Sequence, residues 1–487
     1  MKDLHQVIQS LTTHEKEKFS RYLSQNTKRA DTKNDVLFKI LAHNPQLPTG
    51  IDEQLYGKAN KNALNVLSKR LFENLIHFLG VHSFAGAQAE EMQILKILVV
   101  ARNLHERKLH KIANKLLVKA KKASAEIEQF NLINEILTTQ IHYAQHTHLG
   151  EVTPLFYENK LNLQKLTQEQ QINQIYALAQ QYIYNKNIQV NQELKNLLNQ
   201  IELLDYQNLS FKSIFRLLKI LNQIGDFTKD FEVIFPIVNH IEGIYNANKN
   251  HQGRNTYFNI QILYYLANTY FRIEKFENCF DYLKQLDQEL IHHKTTFEKQ
   301  FRPQHSMLYA LCLLYTNQQQ LALEHLLSFN PKAYSKNNEY LYDIQLLKAV
   351  LAFQNQDLKS ANSFLRALNK TDHWYLKSIG YSWTIKKNLF EIILKFELEE
   401  TYLFESKIRS FKKQFSKYLI TNNESSVLDF VNIIEYLFIH KNSIDLKKLQ
   451  QKLTQLNHKN QMNTKDVFVQ GFYKWLLIKY DNISDHI

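Results

Sequence analysis

Five lysines, Lys108, Lys111, Lys115, Lys119 and Lys122, follow one another at steps of three and four residues. On an α-helix that spacing aligns the ammonium groups along one face. Nine Lys or Arg and a single acid, Glu106, lie between residues 96 and 125, so little neutralising charge is close in sequence. Such a row suits a phosphate backbone or an acidic protein surface. A solvated lysine face that keeps a helix soluble is the alternative. A second set, Tyr264, Asn268 and Arg272, stands at i, i+4 and i+8, again one helix face. An amide beside a guanidinium fork suits a peptide backbone or a carboxylate, and ordinary surface residues are the alternative.

Other chemistry is poorly supported. His142 and His146 are four apart, with His148 close behind, so two imidazoles could meet a metal, but no cysteine or carboxylate nearby completes a ligand set. The segment HERKLH at 105–110 spaces its histidines five apart, whereas the metalloprotease pattern needs four with an adjacent Glu. Gly-rich phosphate loops, nucleophile elbows and paired CxxC motifs are missing, and only 10 glycines serve 487 residues. No catalytic residue, metal or cofactor is expected. DEQLYGKANKNALNVLSKRL has two helical pieces around a Gly-containing turn, the outline of a helix-turn-helix, which packing of a helical domain explains equally well.

Both candidate faces need helices to hold them, and residues 266–283, LANTYFRIEKFENCFDYL, show how those helices are built. Leu263, Leu266, Ala267 and Tyr270 form one apolar stripe, and Cys279, Leu283 and Leu286 a second, each at helical spacing. IEKF between them predicts a tight turn, so two short amphipathic helices fold back and bury facing stripes. Small side chains at Ala267 and Cys279 let the backbones approach. The same offsets recur at Ala310, Leu313, Ala322 and Leu326, at Ala349, Ala352, Ala361 and Leu365, and at Ala101, Leu104, Ala113 and Leu117. IGDFTKDFEVIF at 224–235 mimics the central turn in degraded form, with Asp230 where a small residue belongs.

The segment resembles a tetratricopeptide repeat, with Leu266, Ala267, Tyr270, Phe276, Cys279 and Leu283 at the matching positions. Cys279 replaces the usual alanine, Glu274 replaces the turn glycine, and no proline closes the repeat. Spacings of about 40 residues exceed the roughly 34 of the standard unit, so helices or connections must be extended. The resemblance implies an all-α, irregular right-handed solenoid of helical hairpins over residues 88–487, with its first helices lining a binding surface. It also implies that Asn268 matches an Asn with which other such proteins hold peptides, although the lysines of their carboxylate clamp have no clear counterparts.

Residues 1–87 read differently, as a basic helical head of short segments and one long amphipathic helix through NALNVLSKRLFENLIHFL. Thr12 and Glu15 predict a capping box. A head joined to such repeats resembles cytoplasmic proteins of Bacteroidota.

Composition agrees with helices: proline numbers 6, and hydrophobic residues make up 44% of the chain. The formal charge is +13, of which +10 falls in residues 1–125, where 21 Lys plus Arg face 11 Asp plus Glu. An acidic partner would therefore be felt mainly by the first quarter. No apolar run is long enough for a bilayer, no secretory signal opens the chain, and Cys279 and Cys312 are the sole cysteines. Together these features lead to the expectation of a non-enzymatic cytoplasmic scaffold that binds a protein or peptide and no membrane. The alternative is a nucleic-acid-associated regulator that uses the basic N-terminal quarter.

Overall fold

A computed structural model describes residues 1–25, 33–82, 87–147, 152–185, 190–206, 209–247, 256–292, 297–334, 339–422, 424–441, 443–460 and 467–484. These residues form helices and no strand, as the scarcity of glycine, proline and alternating patterns requires. The chain divides into two compact units, 1–164 and 165–487. The boundary lies further along the chain than residue 87, where the change of sequence pattern falls.

The first unit holds α1 (Lys2–Ser10), α2 (Thr13–Gln25), α3 (Lys33–His43), α4 (Ile51–Tyr56), α5 (Lys61–His82), α6 (Ala87–Glu106), α7 (His110–Glu126), α8 (Phe130–His142) and α9 (Ala144–Thr147). α10 (Thr153–Asn185) runs across the boundary. Helices α1–α5 enclose one core, in which Phe19 packs edge-on to Phe38 at 5.0 Å and against Phe78 at 5.1 Å. The capping box forms: Glu15 N–H donates to Thr12 Oγ1 at 3.2 Å and Thr12 N–H donates to Glu15 Oε2 at 2.8 Å. These bonds from the Thr12 backbone and hydroxyl hold the Glu15 carboxyl below its ordinary value. Ile94, Ala101, Ala113 and Leu117 belong to a separate core between α6, α7 and α8.

The second unit continues with α11 (Val190–Glu202), α12 (Phe211–Thr228), α13 (Phe235–Ala247), α14 (Thr256–Arg272), α15 (Phe276–His292), α16 (Glu298–Tyr315), α17 (Gln319–Ser328), α18 (Tyr340–Gln354), α19 (Leu358–Arg366) and α20 (Asp372–Ser378). It ends with α21 (Tyr381–Glu397), α22 (Thr401–Thr421), α23 (Ser425–Ile439), α24 (Leu446–Asn460) and α25 (Val467–Ser484). α14 packs on α15, α16 on α17, α18 on α19 and α21 on α22, while α12, α14, α16, α18 and α21 each touch the next of their own set. That two-row pattern is an all-α solenoid.

The recurring small residues are where the rows meet. Ala267, Cys279, Ala310, Ala322, Ala349 and Ala361 have no exposed surface. Ala361→Leu inserts three carbons into the α18–α19 junction and is expected to cost about 1 to 3 kcal/mol. Urea unfolding followed by tryptophan fluorescence checks this, since all three tryptophans, Trp374, Trp383 and Trp475, lie in the C-terminal quarter; an unchanged midpoint would remove Ala361 from the junction.

Seven of the turns are made without glycine. Lys108, Glu128, Lys229, Glu274, Asn317, Gln356 and Glu399 all take positive φ, between 53° and 64°. Most close the same way: Lys275 N–H donates to Tyr270 O, Gln318 N–H to Leu313 O, Asp357 N–H to Ala352 O and Glu400 N–H to Lys395 O, at 2.8 to 3.2 Å. This is the helix-ending bond of a Schellman motif. A left-handed L-residue costs roughly 1 to 2 kcal/mol, which the buried stripes on either side must outweigh. Asp230 occupies a turn rather than a helix contact, and its Oδ1 accepts from Glu232 N–H at 3.1 Å. The small residue of that pair is Gly225, where a Cβ would lie 3.0 Å from the Phe231 ring.

Candidate functional site

Tyr264, Asn268 and Arg272 do share a face of α14, and that face lines a cleft of about 430 Å³. The neighbouring helices of the row supply the rest: Asn222 and Asp226 from α12, Gln304 from α16, Tyr340 from α18, and Phe468 from the start of α25. Each helix contributes through residues near its own cleft-facing stripe, so the site exists only because the row is stacked.

Within the cleft most polar groups are already matched. Asn222, 2% exposed, donates through Nδ2 to Leu218 O at 2.9 Å and Thr269 Oγ1 at 3.1 Å. Its Oδ1 accepts from Asn268 Nδ2 at 2.8 Å. Arg272 Nη2 lies 3.0 Å from Asp226 Oδ1, and the guanidinium stands 5.6 Å from the Phe231 ring centre. Tyr264 and Tyr340 hydroxyls meet at 3.2 Å. Burial, followed by the neighbouring Tyr340, pushes the Tyr264 phenol well above its ordinary value, so it stays protonated.

Two amide groups are left over. With Nδ2 of Asn268 committed to Asn222, its Oδ1 has no protein donor among the described residues. Gln304 is 9% exposed, yet its Nε2 has no acceptor. A buried N–H without a partner costs about 1 to 3 kcal/mol. One carbonyl and one amide N–H without partners therefore belong to residues lining the same cleft, together the complement of a peptide group. Arg272 is neutralised by Asp226, which favours that chemistry over a free carboxylate.

The lysines lie in the first unit, and all five are exposed. Lys111, Lys115, Lys119 and Lys122 are on α7, but Lys108 is not on the helix: it takes the left-handed turn position, φ 64°, before α7 begins. Ile112, next to Lys111 on the same helix, is 52% exposed. Among the described residues none of the five pairs with a carboxylate, whereas the adjacent Lys121 reaches Glu158 at 2.7 Å.

His142 and His146 fall on different helices, α8 and α9, and His148 lies outside the described residues. Folding brings His146 instead to His110, with rings 4.6 Å apart, and His110 Nδ1 to within 3.0 Å of His105 Nδ1. Burial, then the neighbouring imidazoles, lowers the affinity of His105 for a proton. Among the described residues no three His, Cys, Asp or Glu are arranged to hold a metal ion, and no helix is long and apolar enough to cross a membrane. Comparison with protein-family models, curated proteins and solved structures returned no match for this chain.

Proposed function

We propose that the chain is a non-enzymatic scaffold or adaptor of the tetratricopeptide-like kind, working in the cytoplasm, whose α12–α14–α16–α18 face binds a protein through an exposed peptide segment. The observation carrying this reading is the pair of unmatched amide groups, Asn268 Oδ1 and Gln304 Nε2, in one aromatic-walled cleft. A bound peptide group would accept from Gln304 and donate to Asn268, while Tyr264, Tyr340 and Phe468 supply surface for its side chains.

A second reading keeps one observation of its own: four unpaired lysines on α7 and a fifth in the turn before it. Nucleic acid bound there would show a log–log salt slope near −0.9 per phosphate contact on duplex DNA. One experiment separates the two. Full-length chain is immobilised, incubated with native lysate with and without nuclease, and compared with Asn268→Ala/Gln304→Leu and with Lys111→Glu/Lys115→Glu/Lys119→Glu. A nuclease-resistant protein partner is expected, its affinity reduced on the order of thirtyfold in the cleft variant, since two hydrogen bonds of about 1 kcal/mol each are lost. The lysine variant should retain it. Material that disappears with nuclease, elutes steeply with salt and is lost in the lysine variant would replace the scaffold reading by the nucleic-acid one.

A further inference from the structure

The last helix, α25, lies on the same face of the second unit that carries the cleft. Phe468, Phe472, Trp475 and Lys479 are spaced i, i+4, i+7 and i+11, one stripe of a helix. Phe468 forms a wall of the cleft. Gly471 approaches α18 so closely that a Cβ would lie 3.3 Å from Gln354 Nε2. Phe472 stacks on Phe390 of α21, with centroids 6.1 Å apart and planes 12° apart. Trp475 Nε1 donates to Glu397 Oε1 at 2.5 Å, and Lys479 Nζ lies 2.9 Å from the same carboxylate. An amphipathic helix laid by its aromatic stripe into a groove is a recurring mode of protein recognition.

α25 does not fill the groove. A cavity of about 480 Å³ remains between it and α16, α18 and α21, and the Oε1 of Gln354 is buried at its edge without a hydrogen-bond donor. A glycine inside a helix also weakens that helix by about 1 kcal/mol relative to alanine. The resident helix thus has the right chemistry for the groove and an incomplete fit.

We propose that this face is a helix-binding groove whose ligand is an amphipathic helix of a partner protein, carrying aromatic residues at i, i+4 and i+7 and a lysine at i+11, and that α25 occupies the groove until that helix displaces it. The inference rests on the scaffold reading above and adds to that partner a helix, beside the segment whose peptide group the cleft holds. A ligand bearing larger side chains toward that cavity, clear of the close contact with Gln354, would occupy the space α25 leaves empty. That gain is what lets a free helix compete with a tethered one, which enjoys a high effective concentration.

The test uses the full chain and a fluorescent peptide of residues 467–484. Trp475→Ser/Lys479→Glu should loosen α25 while leaving Glu397, Phe390 and Gln354 in place, and the peptide should bind this variant at least tenfold more tightly than wild type. A peptide carrying the same two changes should not bind. Independently, Gln354→Cys/Gly471→Cys pins α25 when oxidised and should lose the nuclease-resistant partner, regaining it on reduction. Amide hydrogen exchange of unaltered protein guards against misfolded variants: α25 should exchange through local opening, faster than α14, α16 and α18. Exchange of α25 only with those helices, or equal peptide affinity for loosened and wild-type chains, overturns the inference. A partner held equally by oxidised and reduced forms also overturns it but leaves the scaffold reading standing. Peptide binding to the loosened chain with no partner recovered from any form supports the groove and counts against the scaffold.

Discussion

Lys387→Met is expected to lower stability by about 3 to 5 kcal/mol, the usual result of removing one member of a buried ion pair. Lys387 Nζ lies 3.1 Å from Asp372 Oδ1 and 3.2 Å from Glu391 Oε2, and its side chain is 9% exposed. Burial works against the ammonium, yet Glu391 and then Asp372 outweigh it and hold the lysine above its ordinary value. Once Lys387 is gone, Asp372 has lost that partner and Glu391 keeps Lys407 at 2.7 Å. Two carboxylates then share a poorly solvated pocket with one cation. The cost comes from the stranded charge and not from a strong native bond, so adding Asp372→Asn and Glu391→Gln to Lys387→Met should recover most of the loss. Urea unfolding read by Trp374 and Trp383 on the adjoining helices measures both variants. A triple variant no more stable than the single one would mean that Lys387 acts through packing of its stem.

Acid is expected to weaken the middle of the solenoid through His305. This side chain is 5% exposed on α16, and Nε2–H donates to Leu283 O at 3.1 Å, leaving Nδ1 buried without a partner. Burial pushes its pKa down to about 4, with Arg302 and His325 acting in the same direction, while Asp287 and the bond to Leu283 oppose it. In the unfolded chain the imidazole takes up its proton near 6.5. The folded state therefore binds fewer protons between these values, and stability rises with pH there. The contribution is fully present above about 6.5, declines as pH falls, and is lost by about 4, a total of about 3 kcal/mol at 1.36 kcal/mol per unit. His305→Gln keeps a donor for Leu283 and removes the titration. Urea midpoints measured from pH 7 to pH 4 should fall further for wild type than for His305→Gln, and parallel curves would exclude His305 as the source.

Much of the fold was legible because close helix contacts tolerate few side chains. Ala101, Ala113, Ala310, Ala322, Ala349 and Ala361 are all fully buried, and the twelve-residue step within each pair marks two helices folded on each other. The turns were harder to read. Glu274 and Gln356 take the left-handed conformation with nothing in their residue type to announce it, because flanking packing overrides the local preference for glycine. Asp230 looked like a damaged contact position and is a turn-capping residue, the close approach having moved to Gly225.

The cleft was legible only in its α14 component. Asn268 and Arg272 are four apart and announce a common face, but what each can still bind depends on Asn222 and Asp226, 46 positions earlier in both cases. Gln304 is one of many glutamines in the chain and becomes distinctive only when burial leaves its amide unmatched. Helical spacing likewise gave the lysines of α7 and misplaced Lys108, since a period carries no mark of where the helix starts.

The neighbour-to-neighbour stacking of α12, α14, α16, α18 and α21 also governs how stress spreads through the second unit. In such a row most of the support for each repeat comes from its neighbours, with α25 the exception that bridges several of them, so the rest of the row acts as a series of coupled springs. A ligand that spans several of these helices stiffens the links it bridges and leaves the others unchanged. Mechanical compliance is then a local property, and occupancy of the groove sets where along the row the chain can flex.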